Sequence, residues 1–223
     1  VTQIFKRFEK NQHGRDFVVG DIHGEFFLLE RKLREIGFDK RYDRLFAVGD
    51  LVDRGPRSDE AVFYVMKEPW FYSVKGNHEQ LLIDSVNSTF PDARAIHYGN
   101  GGGWFYGLPE IEQQCIAAVL DDLPLAIEVE TDKGLVGIVH AEVPLDDWTL
   151  FKSQYHENQI RFEASALWKR SRIDRGRTHP VEGVVAVYCG HTPVERYTVL
   201  GNVHCLDTGA CWEDGHFTIV QIQ

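Results

Sequence analysis

Three short glycine-flanked segments carry most of the reactive side chains: Gly20-Asp21-Ile22-His23-Gly24, Gly49-Asp50-Leu51-Val52-Asp53-Arg54-Gly55 and Gly76-Asn77-His78-Glu79. Two later segments, His140-Ala141-Glu142 and Gly190-His191-Thr192-Pro193, add further imidazoles. Taken singly, each group has an ordinary use. Asp21 suits a helix N-cap, Asp53-Arg54-Gly55-Pro56 a surface turn, Asn77 a turn position with positive φ, and His140 a hydrogen-bonded interior site. None of these uses explains why glycine flanks the groups repeatedly. Read jointly, carboxylate oxygen, amide oxygen and imidazole nitrogen without thiolate form a donor set for a borderline divalent ion. Mn, Fe or Zn suits it better than Ca or Mg. Asp21, His23, Asp50, Asn77, His140 and His191 make six donors, many for one ion that keeps an open position. Asp50 is placed to bridge two ions about 3.5–4 Å apart, and a water held between them would become a nucleophile near neutral pH.

Such residues need elements that bring them together. Apolar runs bounded by Gly, Asp and Asn predict strands over 16–19, 44–48, 71–75, 125–130, 135–140, 184–189, 197–200, 203–206 and 217–222. Helical spacing of apolar residues predicts helices over 26–36, 60–67 and 79–85, with another around 162–169. The N-terminal half therefore reads β-α-β-α-β-α, which implies parallel strands, while the closely spaced C-terminal strands read as a meander. Asp21 to Asp50 is 29 residues and Asp50 to Asn77 is 27, each about one β-α-β unit. Corresponding turns of successive units lie side by side at the carboxyl ends of strands, where open α/β sheets bind ligands.

The chain has 223 residues and a net charge of −10, from 24 basic and 34 acidic side chains. One domain over residues 1–223 is expected. The acidic balance argues against nucleic-acid binding through phosphates and against a polybasic grip on membranes, so neither partner is expected. The four cysteines form no C-x-x-C pair, and Cys189, in an apolar run, reads as a small buried hydrophobe. The first fifteen residues lack the apolar core of a signal peptide, and no run approaches the ~20 residues of a membrane span. A reducing cytoplasm is the expected location.

The series GDIHG, GDLVDRG, GNHE, HA and GHTP resembles the metallophosphoesterase superfamily. More closely, it is similar to the bacterial and bacteriophage PPP-type serine/threonine protein phosphatases, with GNHEQ at 76–80, NGGGWF at 100–105 and LDTGA at 206–210 extending the likeness. The resemblance implies an α/β fold, a four-layer α/β/β/α sandwich with two mixed sheets flanked by helices. It implies two divalent metal ions per chain, with Mn²⁺ preferred and Fe or Zn the alternatives. Asp21, His23 and Asp50 would hold one ion, and Asp50, Asn77, His140 and His191 the other. The substrate would be a phosphorylated protein or peptide, hydrolysed at a phosphomonoester by a bridging hydroxide. Glu142 departs from the Asp of close relatives.

Hydrolysis also needs charge neutralisation and a proton for the leaving alkoxide. Arg54, directly after Asp53, offers a guanidinium fork to phosphate. The stretch 161–177 has six basic and two acidic residues and reads mostly as a solvated basic face. Within it, Trp168-Lys169-Arg170 resembles the family's Trp-x-Arg segment, which makes Arg170 a second phosphate ligand. His78 is the expected proton donor, with Asp53 orienting it. Gly101-Gly102-Gly103 lacks the following Gly-Lys-Ser/Thr of a P-loop and reads as a tight turn placing Trp104 and Phe105 near the site or in the core. Asp207 reads equally as an orienting acceptor for an imidazole or as a turn carboxylate. The alternatives are a symmetrical dinucleoside tetraphosphatase, a non-catalytic scaffold of the same fold and, third, a polynucleotide phosphodiesterase.

Overall fold

The computed structural model describes residues 3–87 and 90–223. In chain order the elements are β1 (Phe5–Phe8), β2 (Asp16–Val19), α1 (Phe26–Glu35), β3 (Arg44–Ala47), α2 (Glu60–Lys67), β4 (Phe71–Ser73), α3 (Asn77–Asn87), α4 (Ala93–Gly99) and α5 (Glu110–Asp121). There follow β5 (Ala126–Thr131), β6 (Gly134–Val139), α6 (Trp148–Ser153), α7 (Gln159–Trp168), α8 (Ser171–Asp174), β7 (Ala186–Cys189), β8 (Thr198–Leu200), β9 (Val203–Cys205) and β10 (Ile219–Gln221).

The strands form two sheets, ordered β1-β5-β6-β7-β9-β8 and β10-β2-β3-β4. Strand alternation sorts the side chains into three apolar layers. In β2 and β3, Val18 and Phe46 face Ile127, Val129, Val136 and Ile138 of the other sheet, forming the middle layer. Their neighbours Phe17, Val19, Leu45 and Ala47 face Leu29, Leu33, Ala61, Leu82 and Leu120 of the helices on that side. On the far side of the larger sheet, Ala126, Val139 and Val187 pack with Trp148, Phe151 and Phe162 of α6 and α7. Helices, sheet, sheet, helices: this is the expected four-layer sandwich with two mixed sheets. Because both sheet faces are covered, the strands read as continuous apolar runs rather than as alternating ones.

β2, β3 and β4 are parallel neighbours, as the N-terminal pattern implies. The C-terminal strands depart from a meander. β8 and β9 pair antiparallel, but β7 and β9 are parallel and β10 crosses to the other sheet, antiparallel to β2. β1 escaped the sequence reading because four residues, two of them charged, show no period. It is fixed by tertiary contacts: it pairs with β5, with Phe5 against Phe151 and Phe8 against Phe46. Between 85 and 125 the structure adds α4 and α5, where the sequence reading placed nothing.

Candidate metal centre

The loops after β2 and β3 and the start of α3 carry Asp21, His23, Asp50, Asp53, Arg54, Asn77 and His78. The ends of β6 and β7 in the other sheet bring His140 and His191. The backbone is forced at this meeting point. His23, Asp50, Asp53, Arg54 and His191 have φ of 46°, 50°, 72°, 67° and 68°, a region that non-glycine residues seldom enter. Glu79 holds the β3 loop in that shape: its buried carboxylate accepts N–H bonds from Asp50 (2.9 Å), Leu51 (2.7 Å), Val52 (3.3 Å) and Gly76 (2.7 Å). Burial and the nearby Asp50 push Glu79 up to about 7. The flanking glycines allow close approach. A Cβ at Gly190 would lie 1.8 Å from Asp21 Oδ1, and one at Gly76 would lie 2.2 Å from Asp50 Oδ1.

All six expected ligands are buried and adjacent. His191 N–H approaches both oxygens of Asp21, at 3.2 and 3.1 Å. Asn77 Oδ1 lies 2.8 Å from His140 Nε2 and 2.8 Å from His191 Nδ1. His140 Nδ1–H donates to the Val48 carbonyl (2.8 Å), while His191 Nε2 lies between the Trp168 carbonyl (3.1 Å) and the Arg170 Nε–H (3.2 Å). The opposite nitrogen of His140 therefore presents a lone pair toward the Asn77 amide oxygen. Likewise His23 Nδ1–H donates to the Val52 carbonyl (2.9 Å), leaving the Nε2 lone pair 3.6 Å from Asp50 Oδ2. The His23 lone pair accepts from Arg54, whereas His140 Nε2 and Asn77 Oδ1 face each other at 2.8 Å, repel one another and call for a cation.

The charges make the same demand. Burial and the nearby Asp207 and Asp50 push Asp21 well above the usual carboxylate range. Burial lowers His23 to about 4 and, with His140, His191 to about 3, so these rings stay neutral ligands. Burial opposes ionisation of Asp50, but His140, His78 and His23 together hold it below the ordinary carboxylate value. Asp50 belongs to two clusters whose ligand atoms all lie within 4.8 Å, one with His23 and His78 and one with Asp21 and His140. The residues thus fit two divalent ions sharing Asp50. The clusters divide the remaining residues differently from the partition that the resemblance implies.

Beside the ligands, His78 Nδ1 lies 2.8 Å from Asp53 Oδ2. Burial disfavours the imidazolium of His78, but Asp50 and Asp53 outweigh it and raise its pKa. Two residues that sequence reasoning did not connect to the dyad complete it: Asp53 Oδ1 accepts from Trp104 Nε1–H (2.9 Å) and lies 3.0 Å from His97 Nε2. His97 Nδ1 in turn meets the Tyr106 hydroxyl at 2.8 Å. The glycine triplet is the expected turn, with Gly101 at φ 103°, and it sends Trp104 to the site and Phe105 into the core.

Arg54 Nη1–H donates to His23 Nε2 (2.7 Å), and its guanidinium lies 5.5 Å from the Trp212 ring. Arg170 Nε lies 3.2 Å from His191 Nε2. Both guanidiniums stand at the ligand cluster. Most of the basic stretch is the solvated face expected, with Arg161, Lys169, Arg170 and Arg175 exposed, and two of its residues depart from it. Arg172 is 3% exposed and bonds Asp146 Oδ1 (2.6 Å) and three carbonyls, and Arg177 pairs with Asp146 and Glu142. Asp207 accepts from Gly209 N–H (3.0 Å) as a turn carboxylate, and its charge faces Asp21.

A two-sheet sandwich with acid, amide and imidazole ligands gathered at strand ends defines a metallophosphoesterase. Residues 17–216 match the Calcineurin-like phosphoesterase model, and the chain belongs to that family. It is 34% identical over 224 residues to serine/threonine-protein phosphatase 1 of Salmonella typhimurium, covering 99% of this chain and 98% of that protein. It is 26% identical to a symmetrical bis(5'-nucleosyl)-tetraphosphatase of Methylococcus capsulatus, covering 92% and 91%. The solved structure of a cold-active protein tyrosine phosphatase shares the fold, with a TM-score of 0.65 at 16% identity, covering 98% of this chain and 76% of that one.

Proposed function

We propose that the protein is a phosphoprotein phosphatase that hydrolyses phosphoserine and phosphothreonine esters at a dinuclear centre, working as one domain over residues 1–223. The observation that carries this reading is the sharing of Asp50 between two ligand clusters, one of which includes His78, whose Nδ1 lies 2.8 Å from Asp53. The higher identity to the serine/threonine phosphatase, over nearly the whole of both chains, favours phosphoprotein over dinucleotide.

In this reading Asp21, His23, Asp50, Asn77, His140 and His191 hold two divalent ions, Mn²⁺ by preference since the set mixes oxygen and nitrogen donors. The ions would supply an activated water and neutralise charge on the phosphoryl oxygens. Arg54 and Arg170 bind those oxygens with guanidinium N–H groups. His78 gives its proton to the leaving alkoxide, and Asp53 keeps the ring oriented and its cationic form stable. The four cysteines are free thiols, which supports a reducing cytoplasm as the location.

The test is metal-reconstituted protein assayed side by side on a phosphoserine peptide, a phosphotyrosine peptide and diadenosine tetraphosphate. The phosphoserine peptide should give the highest kcat/KM. A preference for the dinucleotide would move the protein to the tetraphosphatase activity. No turnover of any of the three, with two metals bound, would make it a scaffold.

A further inference from the structure

Glu142 departs from the family pattern, and the fold gives it a specific set of partners. It lies two residues after His140, on the segment whose Ala141 and Glu142 N–H groups donate to the Ala166 and Ser165 carbonyls of α7 (2.7 and 3.2 Å). Its carboxylate is 6% exposed and reaches across to the turn between α7 and α8. There Oε2 accepts from Ser171 Oγ (2.9 Å), and Oε1 accepts from the Arg172 N–H. Arg177 Nη2 donates to Oε2 at 2.9 Å, and Lys169 Nζ stands 3.8 Å away.

Glu142 therefore contacts the residues on both sides of Arg170 but not Arg170 itself. That side chain is exposed and turned toward His191, and among the described residues it pairs with no carboxylate. Arg170 occupies the N-cap position of α8, so the N–H that Glu142 captures from Arg172 fixes the backbone that launches the guanidinium. A neighbouring carboxylate would ordinarily compete with phosphate for an arginine. Here the carboxylate is saturated by Ser171, Arg172 and Arg177, and its charge is spent on them.

We infer that Glu142 is a positioning residue for phosphate binding: it ties the Arg170 turn to the strand end that bears His140 and leaves the Arg170 guanidinium free for the phosphoryl oxygens. The longer side chain matters to this role. Aspartate would be about 1.5 Å shorter, a C–C bond length, and would not span to both Ser171 and Arg172. The inference rests on the reading of Arg170 as a phosphate ligand, and the test separates the two.

The experiment is a double-mutant cycle of Glu142→Gln and Arg170→Ala on the metal-loaded protein. It reads KM, kcat, inhibition by inorganic phosphate, metal content and thermal midpoint. Glu142→Gln should raise KM and the phosphate inhibition constant about tenfold, in proportion to a weakened charge-assisted bond. It should leave kcat within about twofold and metal content unchanged. In the Arg170→Ala background the same change should add nothing, because residues acting through one contact are not additive. Glu142→Asp, too short for both contacts, should raise KM at least as far as Glu142→Gln, and it serves if the glutamine variant folds poorly. Equal tenfold losses in both backgrounds would overturn the inference, as would a silent Glu142→Gln beside a damaging Arg170→Ala. If Arg170→Ala itself is silent, the reading of Arg170 falls and the inference falls with it.

Discussion

Trp104 donates its indole N–H to Asp53 across 2.9 Å, on the same carboxylate oxygen that faces His97, while the other oxygen holds His78. Asp53 is thus fixed on both sides, and the tilt of His78 depends on residues far from it in sequence. Replacing Trp104 with Phe keeps the packing and removes one donor. Orienting partners of active-site groups are worth about 10–100-fold, so Trp104→Phe should lower kcat by an amount near the lower end of that range. Metal content, measured by elemental analysis, should not change.

His78→Asn should remove the proton donor itself. General acid catalysis contributes about 10²–10⁴-fold, and kcat on a phosphoserine peptide should drop by that order with the metals retained. p-Nitrophenolate leaves without protonation, so the loss on p-nitrophenyl phosphate should be smaller. Equal losses on both substrates would assign His78 an electrostatic or water-positioning role instead.

Chelation should abolish activity, since the facing lone pairs of Asn77 and His140, 2.8 Å apart, call for a cation between them. Mn²⁺ should restore turnover better than Mg²⁺, which favours all-oxygen surroundings and keeps its waters. Full turnover by protein shown to be metal-free would refute the dinuclear reading.

Gly190→Ala adds a single methyl, aimed 1.8 Å from Asp21 Oδ1. Either Asp21 or the His191 backbone must shift. The variant should fold and yet bind less metal than wild type, with activity falling in step. Metal titration with a fluorescent indicator distinguishes this from a change confined to kcat.

Asp146 links Arg172, Arg177 and His179 on the far side of the Arg170 turn. Burial favours its neutral form, but His179 and Arg172 outweigh burial and hold its pKa below the ordinary carboxylate value. A depressed carboxylate stabilises the folded state above its unfolded pKa, and that stabilisation is lost as pH falls toward the folded one. The thermal midpoint should accordingly drop as pH falls from about 5 toward 3, and Asp146→Asn should flatten that part of the curve. An unchanged slope would mean that other carboxylates govern the acid limb.

Where the sequence was legible, the cause was local. Glycine and polar residues interrupt apolar strands at Gly20, Gly49, Gly76 and Gly190, and the ligands sit at those interruptions. The dyad of His78 and Asp53 was likewise readable from the motifs that carry the two residues. His97 was not, because its partner Asp53 is 44 residues earlier and nothing in its own neighbourhood marks a buried imidazole. In the basic stretch, mostly exposed as expected, Arg172 is the exception for a related reason. Arg172 looks like a surface charge until Asp146 and the carbonyls of Arg177, His179 and Leu200 close around it. β1 and the crossing of β10 are set by pairing with distant strands, which composition cannot express.

The N–H contact from His191 to Asp21 joins residues 170 positions apart, and it has a consequence for how the protein comes into being. A nascent chain that has emerged only through α3 displays Asp21, His23, Asp50 and Asn77, with neither imidazole from the second sheet to close them. The ligand cluster is completed only after β6 and β7 have joined the sandwich. Partial chains cut by proteases before residue 140 would lack the imidazole that shares a cluster with Asp21 and Asp50, and should bind less metal by elemental analysis.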